Sequence, residues 1–263
     1  MDYTFAPATL EAMRPLADAF ARTLTGPVDD FWESHILGGA AWAICEDGGQ
    51  IGFLTLWDDA PERYISSFYL PAERWHRAQA LFARALETFA VTRAYVPTCD
   101  ELFLSLCMDR QVKVELQAYY FADTPHAPVL PPQFGRECLR PVTPDELPEV
   151  FAQVGDFFGG VTAQTMAEGR ELLWRLCEGE ETLGYGIVVP NRLVRPYAPC
   201  GEIVLVPHRR RGVARSLQMH LAAWCREQGM IPVGGCWYYN EASRNTFYSV
   251  GRYSKTRLLN ITF

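Results

Sequence analysis

The run Glu202-Ile203-Val204-Leu205-Val206-Pro207-His208-Arg209-Arg210-Arg211-Gly212-Val213-Ala214 sets an apolar stretch, a basic glycine turn and the start of a helical pattern in immediate succession. The N–H groups of such a turn and of the first helical residues have no intrahelical partner, and the helix dipole adds partial positive charge. Gly212 is expected to let an anion approach the backbone closely. Three consecutive arginines add guanidinium forks that suit phosphate oxygens. A pyrophosphate is a natural ligand for this arrangement. The same residues also fit a solvated basic turn, or a patch for nucleic acid or a protein partner.

The rest of the chain narrows those options. Its formal charge is −7 and its pI about 5.3, against a general nucleic-acid binder, whose affinity comes from clustered Lys and Arg. At 263 residues the chain has room for two domains, and 49% hydrophobic with 21% charged residues is the composition of a folded protein. The start Met1-Asp2-Tyr3-Thr4-Phe5 shows no basic segment followed by an apolar core, and no run approaches the roughly 18 apolar residues of a membrane span. A cytoplasmic location without membrane contact is expected. The eight cysteines are spread singly, with no zinc-ligand spacing, and read as reduced, mostly buried thiols without a metal.

The proline-rich stretch from Asp123 to Gln133 suits neither helix nor central strand. It divides the chain into a first domain over 1–123, a linker over 124–135 and a second domain over 136–263. In the second, Glu137–Val142 reads as a strand, Pro144 opens a helix, and Thr165–Cys177 reads as another helix with Leu172, Leu173 and Leu176 on one face. Leu183–Val189 and Glu202–Val206 read as strands, with Pro196–Pro199 as a turn between them. Val213–Gln228 is a helix stopped by Gly229, Ile231–Tyr239 a strand, Glu241–Val250 a helix capped by Asn240 and closed by Gly251, and Ser254–Phe263 a final strand.

The first half repeats this order in outline: a helix near Leu10–Leu24, strands Ala40–Glu46 and Gln50–Trp57 joined at Gly48-Gly49, a helix Ala72–Ala90, then strand, helix and strand. The stretches 110–121 and 252–263 agree at Arg, Lys, Leu and Phe with a constant offset, which favours an internal duplication.

Arg209-x-x-Gly212-x-Ala214 between strand and helix, followed by Asn240-x-x-Ser243 and Gly251, resembles the GCN5-related N-acetyltransferase (GNAT) superfamily. The resemblance covers the second half well and the first in outline. It implies an α/β (α+β) fold of two GNAT-like domains, each a mixed, mostly antiparallel sheet flanked by helices, the first of them degenerate. It further implies acetyl-CoA or another acyl-CoA as cosubstrate, held by Arg209, Arg210, Arg211, Gly212, Val213, Ala214, Asn240 and Ser243. The thioester would lie between two splayed strands, where a main-chain N–H near Leu205 or Val206 serves the developing oxyanion.

Acyl transfer to an amine needs a base for the amine, an oxyanion donor and a proton for the leaving thiolate. Glu202 is the candidate base, with a solvated strand-end carboxylate as the plainer reading. The family's frequent general acid is a Tyr seven residues after the Asn, where this chain has Phe247. Tyr248 is the candidate acid, turned by about 100° on the helix, with Tyr238, Tyr239 and Tyr253 as fallback donors. The expected reaction is acetyl transfer to a small-molecule amine by direct attack in a ternary complex, and the alternative is a non-catalytic acyl-CoA-binding or interaction module.

In the first half, His76 falls where Gly212 would, so that half is expected to have lost CoA binding and to complete the substrate cleft or a homodimer surface. Trp57, Phe68, Tyr69 and Trp75 read as core packing, or alternatively as the lining of a pocket.

Overall fold

The computed structural model describes residues 3–263 and divides into two compact units. Unit 1 comprises the chain up to Tyr119 together with Arg192–Val194 and Lys255–Phe263, and unit 2 comprises Tyr120–Asn191 and Arg195–Ser254.

In chain order, unit 1 begins with strand β1 (Tyr3–Ala8), helices α1 (Arg14–Thr23) and α2 (Asp30–Leu37), and strands β2 (Ala40–Glu46), β3 (Gly49–Asp59) and β4 (Glu62–Tyr69). Helix α3 (Ala78–Thr88), strand β5 (Arg93–Pro97), helix α4 (Glu101–Met108) and strand β6 (Lys113–Asp123) follow. The sequence reading lacks β1, α2 and β4. The β2–β3 hairpin turns on Asp47 and Gly48, φ 47° and 85°, one residue earlier than expected, because a two-residue turn of this hand needs positive φ at both positions.

Unit 2 holds β7 (Leu139–Pro141), α5 (Leu147–Val154), α6 (Ala163–Ala167), β8 (Leu172–Glu178), β9 (Glu181–Val188), β10 (Tyr197–Val204), α7 (Val213–Glu227), β11 (Ile231–Trp237) and α8 (Glu241–Ser249). Strand β12 (Arg252–Thr262) starts in unit 2 and, from Lys255, belongs to unit 1. The helix expected over Thr165–Cys177 is mostly strand β8. Gly169, at φ 67°, breaks the chain after the short α6, and Leu172 to Glu178 then pair antiparallel with β9. The turn expected over Pro196–Pro199 is the first part of β10, because Tyr197, Ala198 and Pro199 pair in parallel with β11.

Within unit 1 the strands run in the order β1-β2-β3-β4-β5-β12, with β6 on the other side of β12, and within unit 2 in the order β11-β10-β9-β8-β7. Of the pairs β1–β2, β2–β3, β3–β4, β4–β5, β5–β12, β11–β10, β10–β9, β9–β8 and β8–β7, only β4–β5 and β10–β11 run parallel, so the strand pairing is mixed and mostly antiparallel, as expected. Ile44, Leu54, Ile65, Phe68, Phe82 and Phe103 form the core of unit 1 together with Leu259 and Ile261 of β12. In unit 2, Leu173, Tyr185 and Ile203 pack with α5 on one face of the sheet, and Val188, Cys200 and Val204 pack with α7 on the other.

Segment 192–194 is tied into unit 1 by one side chain. The buried Glu33 carboxylate of α2 accepts the N–H groups of Arg192, Leu193 and Val194 at 2.7–2.9 Å. Charge-assisted bonds of this kind are about twice as strong as neutral ones.

Candidate functional site

The basic turn has the backbone form that its sequence suggests. After β10, a single 3-10 turn over Val206–His208 leads to Arg210 at φ 63° and Gly212 at φ 81°, and α7 starts at Val213. The first intrahelical bond is Ser216 N–H to Gly212 O, and the N–H groups of Arg210 to Arg215 have no partner among the described residues. A row of orphan donors at a helix N-terminus fits a phosphate group. The side of Gly212 that lacks a Cβ faces Gln133 rather than open space, since a Cβ there would lie 2.8 Å from that of Gln133. The glycine is therefore needed for its positive φ and for this packing, and an anion has to come from the N–H side.

The three arginines divide their roles. Arg211 is turned away, with Nη2 donating to Glu178 at 2.7 Å and Nη1 lying 3.1 Å from His208 Nδ1. Arg209 reaches back to Val204 O at 3.4 Å, and Arg210 is exposed; neither forms an ion pair among the described residues. His208 itself is buried, with Nε2 3.5 Å from Glu181, as a clamp beside the loop.

Behind the loop, β10 and β11 stop pairing after Pro199 and Val233. Beyond that point β11 carries Gly234 and Gly235, and a Cβ at Gly234 would run into the Phe247 ring at 2.2 Å. Phe247 is buried and stacked on Phe121 with centroids 4.4 Å apart. Tyr248, the next residue on α8, stacks on Tyr253 at 4.9 Å and meets the Phe121 ring edge-on at 6.0 Å. Tyr239 and Tyr253 are exposed and Tyr238 is half-buried. Of the two oxyanion candidates, Leu205 N–H is already bonded to Leu183 O at 3.0 Å, whereas Val206 N–H has no partner among the described residues. Asn240 caps α8, its Oδ1 accepting Ser243 N–H at 3.1 Å.

Glu202 lies on β10 past the divergence, on the face toward α7. Its carboxylate accepts from Gln218 Nε2, which also donates to Cys200 O at 2.9 Å. Gln218 Oε1 in turn accepts from Arg252 Nη1 at 2.9 Å, and Arg252 Nε donates to Asp123 Oδ1 at 3.0 Å. Burial pushes the Glu202 carboxyl up to about 7, against the pull of the Gln218 N–H and the Arg252 charge. A carboxyl in that range both accepts and releases protons near neutral pH. The sequence reading missed Gln218 and Arg252, which sit among apolar residues as buried polar side chains and announce themselves only through burial.

Unit 1 is built differently at the matching places. The segment leading into α3 is a 3-10 turn over Ala72–Arg77 without any positive φ. Strands β4 and β5 pair only at Tyr64–Arg93 and Ile65–Ala94, and at the next step the buried Trp32 indole N–H donates to both Ser66 O at 3.1 Å and Tyr95 O at 3.2 Å. One side chain closes the gap between the strands. Phe68 and Tyr69 lie in the core, Trp57 is half-buried with its ring 4.8 Å from that of His35, and Trp75 is half-exposed with its N–H on Leu70 O. Among the described residues no cluster of His, Cys, Asp or Glu is able to hold a metal ion, and no helix is long and apolar enough to cross a membrane.

Residues 9–124 match the family model described as an acetyltransferase (GNAT) domain. That match falls on the half whose motif is the less complete. A GNAT-family acetyltransferase from Colwellia psychrerythraea superposes with a TM-score of 0.85 at 18% identity, covering 100% of both chains. A tandem GNAT protein from the clavulanic acid biosynthesis pathway gives 0.65 at 16% identity, over 100% of this chain and 98% of that one. A GCN5-related N-acetyltransferase from Sphaerobacter thermophilus gives 0.63 at 15% identity, over 99% and 95%. At these identities the likeness is one of fold. The sequence matches no curated protein.

Proposed function

We propose that this chain, a member of the GNAT superfamily with the fold of its tandem proteins, uses unit 2 to transfer an acetyl group from acetyl-CoA to the amine of a small molecule. The observation that carries this reading is the row of unpartnered N–H groups from Arg210 to Arg215, at the mouth of two strands that part company after Pro199 and Val233. The loop donors, with Arg209 and Arg210 beside them, take the pyrophosphate, and the parted strands take the thioester arm. Asn240 and Ser243 flank that arm at the start of α8.

In this reading Glu202 removes a proton from the amine as nitrogen attacks the thioester carbonyl, and Val206 N–H stabilises the oxyanion. The C–S bond then breaks and the thiolate takes its proton from water or from Tyr248. Unit 1, with Trp32 between its strands and no glycine turn, takes no acyl-CoA and serves a structural role or a dimer surface.

Thiol release from acetyl-CoA with a panel of amines tests the reaction. Glu202→Gln, which keeps shape and removes the base, is expected to lower kcat about 100-fold with acetyl-CoA affinity unchanged. Equal rates in both proteins would remove Glu202 from the chemistry. One observation favours a binding-only module instead: Phe247 places no hydroxyl at the core-facing position of α8. Tight acetyl-CoA binding with no amine-dependent thiol release is the outcome that selects that reading.

A further inference from the structure

We propose that Gln218 and Arg252 are positioning residues that hold the Glu202 carboxylate for proton abstraction, an inference resting on the acetyltransferase reading. Each link in the chain from Glu202 inward has its direction fixed. Arg252 has donors only, so the Gln218 oxygen must face it, at 2.9 Å. The Gln218 amide nitrogen is thereby turned toward Glu202 Oε2 and Cys200 O. Arg252 is itself only 1% exposed and is held by Asp123, whose other oxygen accepts from Arg226 at 2.5 Å.

The amide therefore has no alternative orientation that keeps its bonds. A flipped Gln218 would set its NH2 against a guanidinium and its oxygen against a carboxylate and a carbonyl, leaving buried groups unpaired. One carboxylate oxygen is pinned in this way, while Oε1 has no partner among the described residues and Glu202 is only half-buried. A base needs that combination of a fixed side chain and a free oxygen.

The other groups around this carboxylate are few. Arg252 faces it from β12, the thiols of Cys200 and Cys225 lie nearby with sulfurs 3.7 Å apart, and Gly186 opposite on β9 brings no side chain. The N–H of Gln218 and the charge of Arg252 both favour the ionised carboxylate, against its burial. Loss of either must raise the pH at which Glu202 becomes a base.

Gln218→Met, close in length and without an N–H, is expected to move the acidic limb of the kcat/KM profile upward and to lower kcat/KM at pH 7 about tenfold. The Kd for acetyl-CoA should stay within about twofold. Arg252→Lys, which keeps the charge and loses the planar fork, should move the limb in the same direction with about a threefold loss, and it decides the matter if Gln218→Met does not fold. The Glu202 midpoint is followed in parallel by carbon-13 NMR of labelled carboxyl groups, which needs no turnover. A limb and a midpoint that both stay at the wild-type pH would overturn the positioning role. Absent thiol release by the wild type would instead overturn the acetyltransferase reading, with the NMR midpoint still reporting whether Gln218 holds the carboxylate.

Discussion

Gly212→Asp is expected to remove measurable acetyl-CoA binding, a loss of at least about 1000-fold by titration calorimetry. Aspartate tolerates positive φ better than most side chains, but its Cβ would lie 2.8 Å from that of Gln133, so the segment carrying Gln133 has to move and far-UV circular dichroism checks that the variant still folds. What changes is the charge at the loop: a carboxylate fixed beside the orphan N–H groups repels a pyrophosphate. Arg209→Glu provides the check that leaves the backbone alone, since Arg209 is exposed and makes only a 3.4 Å bond to Val204 O. Its loss should be smaller and should shrink with added salt. Unchanged affinity in both variants would remove the loop as the cofactor site.

The second large effect concerns stability and pH. Asp100 caps α4 through its Oδ1, which accepts Phe103 N–H at 3.2 Å, while Oδ2 is buried without a partner. Burial pushes this carboxyl up to about 7. Because the folded form holds its proton longer than the unfolded form, stability is full below about pH 4 and falls as pH rises toward 7. The shift corresponds to a loss on the order of 4 kcal/mol, complete above the folded pKa. Asp100→Asn keeps an oxygen for the cap and cannot ionise, so it should gain most of that energy at pH 8 and little at pH 4. Urea unfolding of both proteins at the two pH values measures it, and a pH-independent difference would contradict the assignment.

Much of the second half was legible in the sequence because punctuation and periodicity agree there. Gly229 and Gly251, both at positive φ, stop α7 and α8 as glycines do, and Asn240 caps α8. The loop from Arg209 to Ala214 was legible for the same reason. Strand β8 was not legible because Leu172, Leu173 and Leu176 satisfy a helical spacing as readily as the two faces of a buried strand, and only pairing with β9 decides between them. Trp32, Gln218 and Arg252 were invisible as site residues because their meaning depends on partners far away in sequence: Ser66 and Tyr95 for the indole, Asp123 for the guanidinium. The packing role of Gly212 was not legible, since spacing cannot show that Gln133 covers its open side.

Strand β12 sets a timetable for synthesis. Leu258 to Thr262 pair with Pro97 to Arg93, partners 161 to 169 residues apart, and Leu259 and Ile261 fill the core of unit 1. As the ribosome works through residues 1–123, the nascent unit 1 has every strand of its sheet except the one that covers the edge of β5. It must wait with that edge open until unit 2 has been translated. Open edges recruit foreign strands, so this interval is when unit 1 is most exposed to mispairing. For the same reason, a fragment cut at the proline-rich stretch yields a sheet with an unpaired border, and supplying residues 252–263 as a separate peptide should restore its solubility.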